Sequence, residues 1–193
     1  MAPNMRYLMY KVGLIPAAGL GVRAYPAAHF IPKVMLEIGG KPLLLRNLEI
    51  MKEKIGLKKI FIIVGPQKDE IKNFFKDGKS FGVDIEYIDC GRPELGLGSG
   101  VLLAKDKIHE DFIAILADEL YIDSNQEILK DFRRPGLAAA CCLMHISDPN
   151  MIAKNYSVKI KGERIVELNE KPGRIENDLL GCGTYIFTPK IFD

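Results

Sequence analysis

The feature that most limits the fold of this chain is a pair of continuous apolar runs with helical periodicity between them. The first run covers residues 59–64 (KIFIIV) and the second covers 112–117 (FIAILA). Runs this short, without alternating polar residues, are typical of strands buried on both faces. Because such strands need helices above and below their sheet, the two runs favour a parallel sheet of the α/β class.

The chain up to about residue 146 repeats this alternation of strand and helix. The helix predicted over 42–55 is the best defined, because apolar residues recur from Leu44 to Ile55 with the spacing of one helical face and Gly56 follows. The repeated alternation predicts βαβ units. The other predicted elements are strands over 12–16, 83–88 and 137–146, and helices over 67–75, 97–108 and 125–132.

The pattern changes after about residue 147, where short alternating strands replace the strand–helix repeat. A hairpin is predicted from strands 156–160 and 164–169 around a Lys161–Gly162 turn, followed by a strand over 183–188. We therefore expect one domain over 1–193, with an α/β core at about 10–146 and a smaller β-region at about 147–193. Since the chain stops directly after a strand, we expect this β-region to be incomplete.

Composition and charge exclude several classes of protein. Hydrophobic residues make up 48% and charged residues 27% of the 193 residues, as in globular proteins. A net charge of +2 gives no overall attraction to nucleic acid or to acidic membranes, and no apolar run reaches the roughly 18 residues of a membrane helix. The four cysteines form no CxxC pair, which favours buried free thiols and a reducing cytoplasm.

A glycine turn followed by two cations is the first candidate site. Gly19 and Gly21 come directly after the first predicted strand, with Arg23 and Lys33 further on. Backbone N–H groups beside glycines can approach an anion closely, and the two cations could hold phosphate oxygens. A plain glycine turn with two surface cations fits the same spacing, so the local pattern leaves both interpretations open.

Three further positions carry residues suited to ligand binding. Asp118 ends a buried strand, where it could meet Mg²⁺ or instead cap a helix. Gly96 opens a glycine-rich stretch before a helix, which suits either a close ligand approach or a plain helix start. Pro172 favours an extended conformation of Lys171, which would direct its amine towards a cleft; a polar loop is the alternative.

Taken together, these segments resemble a known family. Residues 13–44 (GLIPAAGLGVRAYPAAHFIPKVMLEIGGKPLL) resemble the signature of sugar-1-phosphate nucleotidyltransferases, most closely the UTP–glucose-1-phosphate uridylyltransferase and glucose-1-phosphate thymidylyltransferase branches. The resemblance covers roughly residues 11–192. Further matches follow in the family's order at 96–104 (GLGSGVLLA), 115–120 (ILADEL), 170–172 (EKP) and 180–187 (LGCGTYIF).

The resemblance implies a Rossmann-like three-layer α/β fold with a mainly parallel mixed sheet, in which 10–146 bind nucleotide and the β-region binds sugar. By analogy with the family, the nucleotide-binding positions are Ala18, Gly19, Gly21 and Gly96, and the phosphate-binding cations are Arg23 and Lys33. The implied Mg²⁺ ligand is Asp118. The implied sugar-binding positions are Ser157, Glu170 and Gly183, with Lys171 on the sugar phosphate.

The function implied by the resemblance is transfer of a nucleotidyl group from UTP, or next dTTP, to a sugar-1-phosphate, with glucose-1-phosphate favoured. The implied enzyme is cytoplasmic, forms oligomers of identical chains, and has no nucleic-acid or membrane partner. A non-catalytic nucleotide-binding regulatory relative and a cytidylyltransferase for another phosphorylated alcohol are the alternatives. Two departures bear on them: Gly91 stands where the family has a base-reading glutamine, and the family's second metal-binding aspartate would fall beyond Asp193.

Overall fold

The computed structural model describes residues 10–21, 31–122, 125–132 and 136–193. The described chain divides into two compact units. The first unit takes the residues up to Ala139 together with Ile186–Asp193, and the second unit is Ala140–Tyr185. Arg23, one of the predicted phosphate-binding residues, lies outside the described residues.

The first unit alternates strands and helices in the predicted manner. Its elements, in chain order, are β1 (Val12–Ala17), β2 (Glu37–Ile38), β3 (Lys41–Pro42), α1 (Leu43–Glu49), β4 (Lys59–Val64), α2 (Lys68–Phe75), β5 (Asp84–Asp89), α3 (Leu97–Leu102) and β6 (Phe112–Ile115). Short 3-10 segments lie at Lys33–Met35, Lys79–Phe81, Pro93–Leu95, Gln126–Asp131 and Pro189–Phe192.

The central sheet of the first unit is parallel, which confirms the predicted α/β class. Its strands lie in the order β5–β4–β1–β6, and β1 pairs in parallel with both β4 and β6. The chain moves from β1 outward to β4 and β5, and then returns to place β6 on the other side of β1. Strand order therefore reverses at β1, and open α/β sheets bind ligands at the carboxyl ends of strands beside such a reversal.

The core of the first unit lies between β1, β4 and the helix that follows β3. Leu14, Ile15 and Ile62 in the two strands are completely buried, and so is Leu48 of α1. Helix α1 continues as a π-helical segment over Ile50–Ile55 and stops where Gly56 takes a φ of 91°. The predicted helix over 42–55 is thus confirmed in extent, while its π-helical second half had no signal in the apolar spacing.

Several predicted boundaries differ from the structure, and the strand predicted over 183–188 covers Leu179–Phe187. Helix α3 ends at Leu102 rather than 108, and the chain continues in turns over 103–107, where hydrogen bonds such as that from the Leu103 N–H to the Gly100 carbonyl span three residues rather than four. The predicted helix over 125–132 is a 3-10 segment at Gln126–Asp131. Strand β6 ends at Ile115, so Leu116 to Asp118 leave the sheet before the predicted end of the strand at 117.

The second unit is built from antiparallel strands and one short helix. It contains most of β7 (Ala139–His145), α4 (Pro149–Lys154), β8 (Tyr156–Lys161), β9 (Arg164–Glu170) and most of β10 (Leu179–Phe187). Strands β8 and β9 form the predicted hairpin, and β10 pairs with β7 and, antiparallel, with β8. Helix α4 was not predicted, although the Asp148 side chain accepts a hydrogen bond from the Asn150 N–H and so caps its start.

A half-buried tyrosine ties β8 to β10 inside the second unit. The Tyr156 hydroxyl donates to the Cys182 carbonyl at 2.9 Å and lies 3.0 Å from the Tyr185 hydroxyl. Burial raises the pKa of Tyr156 well above its usual range. A β-carbon at position 181 would overlap the Tyr156 ring, so only Gly181 allows the ring to lie there.

Asp89, at the end of β5, provides a pH-dependent contact with α2. Its carboxylate lies 2.8 Å from the Lys68 ammonium and 2.9 Å from that of Lys72, and hydrogen bonds from these lysines lower the pKa of Asp89. A lowered pKa means that the contribution to stability is present above the unfolded-state pKa of about 3.9 and is lost as pH falls through the folded-state value.

We predict that Asp89→Asn lowers the free energy of unfolding at neutral pH by at most about 1 kcal/mol, because the ion pairs are exposed. Thermal unfolding of both proteins should show this difference at neutral pH and less of it in high salt. The difference should shrink as pH falls through the lowered pKa of Asp89, because the wild-type carboxylate then becomes protonated. A difference that is independent of pH would contradict the assignment.

Candidate functional site

A cavity of about 420 Å³ lies at the carboxyl ends of β1, β4 and β6. Its volume falls within the roughly 300–1,000 Å³ of small-molecule sites, and it lies where strand order reverses. The end of β1 and the loop after it form one side of the cavity, from Pro16 to Gly21. The remaining lining residues are Lys33, Val34, Ile63, Cys90, Pro93, Gly96, Leu97, Gly100, Leu116 and Asp118.

The loop after β1 exposes its backbone to this cavity. Gly21 has a φ of 64°, which favours glycine, and a β-carbon at Gly19 would meet no atom within 4 Å. Below the loop, a β-carbon at Gly65 would lie 2.5 Å from the Ala18 carbonyl oxygen. Gly65 therefore lets the segment after β4 support the segment after β1, a role that sequence reasoning missed.

Lys33 and Asp118 meet in the wall of the cavity. The Lys33 ammonium lies 2.8 Å from an Asp118 carboxylate oxygen, with 34% and 45% of the two side chains exposed. The sequence separates these residues by 85 positions. Each charge is thus balanced by the other in the ligand-free chain, and each remains accessible to a ligand in the cavity.

The donor set around Asp118 suits a magnesium ion that arrives with phosphates. Within the described residues, no group of three or more His, Cys, Asp or Glu side chains could hold a metal by itself. Mg²⁺ is usually bound through one or two carboxylates together with substrate phosphates and water. A partly exposed carboxylate in a cavity that also has a glycine loop and a lysine fits this mode of binding.

One part of the cavity wall is apolar. Ile63, Pro93 and Leu97 line it together with the buried Cys90 thiol and Gly96, whose φ is 87°. Among its described residues, this wall has no amide or charged side chain. A planar ligand there would be recognised by shape and by backbone groups. Gly96 was expected in the site from the sequence, whereas Ile63 and Cys90 were not.

The second unit has its own smaller cavity, of about 150 Å³. Ser157, one of the predicted sugar-binding residues, lines it with polar neighbours that include Lys159 and Asn169. Glu170 and Lys171 lie just outside its lining, with 79% and 59% of their side chains exposed and 3.4 Å between carboxylate and ammonium.

Two details of the predicted sugar-binding set differ from expectation. Gly183 is buried within β10 and lines neither cavity. The extended conformation expected for Lys171 is wrong, because its φ is 45°. The chain turns as it leaves β9, and the Lys171 N–H donates to the Asn155 carbonyl at 2.6 Å, which outweighs the local effect of Pro172.

An open parallel sheet with a glycine loop, a lysine and a carboxylate at its carboxyl edge defines an α/β protein with a candidate ligand site at that edge. Comparison with known proteins specifies the class further. The family model described as nucleotidyl transferase matches residues 12–193, and the chain belongs to this family. The family and the fold class predicted from the sequence are thereby confirmed.

Two relatives and one solved structure illustrate the similarity. The chain is 34% identical to a glucose-1-phosphate thymidylyltransferase of Streptomyces antibioticus, over 93% of the chain and 50% of that protein. It is 31% identical to the UTP–glucose-1-phosphate uridylyltransferase AglF of Haloferax volcanii, over 93% of the chain and 72% of that protein. The crystal structure of a UDP-glucose pyrophosphorylase complexed with UDP-glucose superposes with a TM-score of 0.81 at 25% identity, over 95% of the chain and 78% of that structure.

The chain spans about half the length of the first curated relatives that it matches. In the part of the chain that the structure describes, no helix is both long enough and apolar enough to cross a membrane.

The contact between Gly65 and Ala18 generates a test of the loop after β1. Gly65→Ala should displace the Ala18 carbonyl and weaken nucleoside triphosphate binding about tenfold, a loss of about 1.4 kcal/mol measurable by titration calorimetry. Gly13→Ala is the matched control. Its β-carbon would meet the Met51 sulfur at 2.6 Å, so it should destabilise the core by about 1–3 kcal/mol without disturbing the loop. Equal losses of affinity in both variants would contradict the assigned role.

Proposed function

We propose that this chain transfers a nucleotidyl group from a nucleoside triphosphate to a sugar-1-phosphate, releasing pyrophosphate. The observation that carries the proposal is the Lys33–Asp118 pair beside the glycine loop, in a chain that belongs to the nucleotidyl transferase family. UTP is the favoured nucleotide and dTTP the next, with glucose-1-phosphate as the favoured sugar. The relatives named as a uridylyltransferase and a thymidylyltransferase support this class of reaction. The order of the two nucleotides follows from the resemblance found in the sequence.

The chemistry requires little from nucleophilic side chains. A phosphate oxygen of the sugar-1-phosphate attacks the α-phosphorus of the triphosphate, and the bond to the bridging oxygen of pyrophosphate breaks. This nucleophile is already an anion at neutral pH, so no general base has to remove a proton. The described lining of the cavity correspondingly has no serine, threonine or histidine side chain.

The main task of the site is to bring two anions together and to balance charge on the leaving group. In the proposed reaction, Lys33 exchanges its contact with Asp118 for phosphate oxygens, and Arg23 holds phosphates as the family resemblance implies. The backbone of Ala18, Gly19 and Gly21 surrounds the triphosphate, and Gly96 lies near the base. Together these groups orient the triphosphate for in-line attack.

Asp118 is the residue that would hold Mg²⁺. The ion, when bound with the triphosphate, would supply positive charge against the phosphates and the departing pyrophosphate. The Asp118 carboxylate contributes by fixing that charge at the end of β6, and its pairing with Lys33 keeps it oriented in the cavity wall before ligands arrive.

The sugar-1-phosphate is assigned to residues of the second unit. The Glu170 carboxylate can accept hydrogen bonds from sugar hydroxyls, and the Lys171 ammonium can pair with the sugar phosphate. Both side chains are exposed and only 3.4 Å apart, so they can rearrange around a ligand. Ser157, which lines the cavity of the second unit, completes the proposed sugar-binding set.

A non-catalytic nucleotide-binding relative is the second candidate. The observation that favours it is the single carboxylate, Asp118, in the described lining of the cavity. One carboxylate is enough to bind the metal ion of a metal–nucleotide complex, because the phosphates of the nucleotide supply further ligands. Turnover also requires that the charge on the leaving pyrophosphate be stabilised.

The decisive experiment is a pyrophosphate-release assay of the full-length protein with Mg²⁺, in which five nucleoside triphosphates are crossed with a panel of sugar phosphates. We expect release to require one specific pair, with UTP and glucose-1-phosphate the most active. Asp118→Asn should abolish Mg²⁺-dependent release while leaving the circular dichroism spectrum unchanged. If no pair of substrates releases pyrophosphate while triphosphate binding is still measurable by calorimetry, the result would contradict the enzyme and favour the regulatory relative.

Lys171 provides a separate test of the sugar-phosphate assignment. Lys171→Ala should raise the KM for the sugar-1-phosphate about tenfold or more, because a charge-assisted contact to phosphate is lost. The dissociation constant for the triphosphate should change less than about twofold, since the assigned contact is to the other substrate. Lys161→Ala, at the exposed end of the same hairpin, is the matched control and should leave both constants unchanged. Equal losses for both substrates would refute the assignment.

A further inference from the structure

Asn47 is a completely buried polar residue on the core face of α1. Its side chain is 0% exposed, as are its helical neighbours Leu44 and Leu48. A buried amide is costly unless its polar atoms form hydrogen bonds, so an apolar residue would fill this position more favourably if packing were its only role. The hydrogen bonds of the Asn47 amide therefore indicate its role in the structure.

The amide of Asn47 is directed at the turn that carries Asp118. Its nitrogen lies within hydrogen-bond distance of three carbonyl oxygens, those of Leu116 at 3.3 Å and of Ala117 and Glu119 at 3.2 Å. These residues flank Asp118 on both sides. The amide thus holds the backbone immediately before and immediately after the carboxylate of the cavity.

The backbone hydrogen bonds of this turn are long. The Ala117 N–H donates to the Pro16 carbonyl and the Glu119 N–H to the Leu116 carbonyl, both at 3.4 Å, which is long for an N–H···O bond. The other atom of the amide, the Asn47 side-chain oxygen, has no hydrogen-bond partner among the described residues. The N–H donors rather than the oxygen account for the presence of asparagine here.

We infer that Asn47 is a positioning residue for Asp118. By fixing the backbone of residues 116–119 to the rigid helix α1, it sets the direction of the Asp118 carboxylate towards Lys33 and the cavity. The inference rests on the proposed function only in taking Asp118 as the carboxylate that meets the metal–triphosphate. Groups that orient a metal-binding side chain typically contribute about 10–100-fold to metal affinity.

The principal variant is Asn47→Leu, which keeps the number and branching of side-chain heavy atoms, removes the unpartnered oxygen and deletes the donors. We expect the Mg²⁺ concentration for half-maximal pyrophosphate release to rise about tenfold or more, with the KM for the sugar-1-phosphate changed less than about twofold. Mn²⁺ binding to the triphosphate-loaded protein, followed by electron paramagnetic resonance, should weaken by a similar factor. In an Asp118→Asn background, Asn47→Leu should weaken Mn²⁺ binding no further.

Leu48→Ala is the matched control, since Leu48 is the next residue of α1 and is equally buried. It should lower the melting temperature without changing the Mg²⁺ requirement, because Leu48 makes no hydrogen bond to the turn. If Asn47→Leu does not fold, Asn47→Ala serves instead, because the smaller side chain lets water reach the three carbonyl groups.

Hydrogen exchange separates failure of this inference from failure of the proposed function. In Asn47→Leu, amides of residues 116–120 should exchange faster while those of β4 remain protected. This result supports the inference even if the wild-type protein shows no turnover, in which case only the proposed function fails. Unchanged exchange in the turn, or unchanged Mn²⁺ binding by a folded variant of a protein that binds Mn²⁺, would overturn the role of Asn47.

Discussion

The parallel pairing of β1 with β4 on one side and β6 on the other is the interaction on which the cavity depends. It sets the carboxyl ends of three strands side by side, so that the loop after β1, the apolar end of β4 and the turn after β6 form one concave edge. The pairing register places the aligned ends at Ala17 and Val64. Gly65, the next residue, then allows the two loops to lie in direct contact.

At this edge, the Lys33–Asp118 ion pair balances the two side-chain charges in the described lining of the cavity before a ligand binds. A cation and a carboxylate held apart in a partly apolar cavity would each have to retain water or bear a desolvation cost. Paired at 2.8 Å, they satisfy each other in the ligand-free chain. In the proposed function, a triphosphate that arrives with a divalent cation would offer each side chain a new partner of the correct sign, so the exchange would leave neither charge unpaired. A nucleotide without its cation would leave Asp118 facing phosphate.

The sequence predicted the strands and the family more completely than the details of the site. The runs 59–64 and 112–117 identified the buried strands because short continuous apolar runs are typical of strands that are buried on both faces. The end of β6 and the conformation of Lys171 depend on contacts with residues distant in sequence. Local propensity cannot predict such contacts. Asn47 did leave a signal, since it occupies the same predicted helical face as Leu44 and Leu48. A polar residue on the core face of a helix is informative, because polar residues are seldom fully buried without a specific partner.

The apolar wall of the cavity bears on how this chain would distinguish one base from another. A site that hydrogen-bonds its ligand through buried polar side chains rejects the wrong ligand strongly, because those groups are then left unpaired. Ile63, Pro93 and Leu97 offer no such groups, and position 91 is a glycine whose β-carbon would meet no atom within 4 Å. In the proposed function, discrimination between bases therefore depends on shape and on backbone donors and acceptors. Differences of a methyl group, such as that between uracil and thymine, are then worth only about 1–3 kcal/mol, which allows both nucleotides as substrates in different proportions.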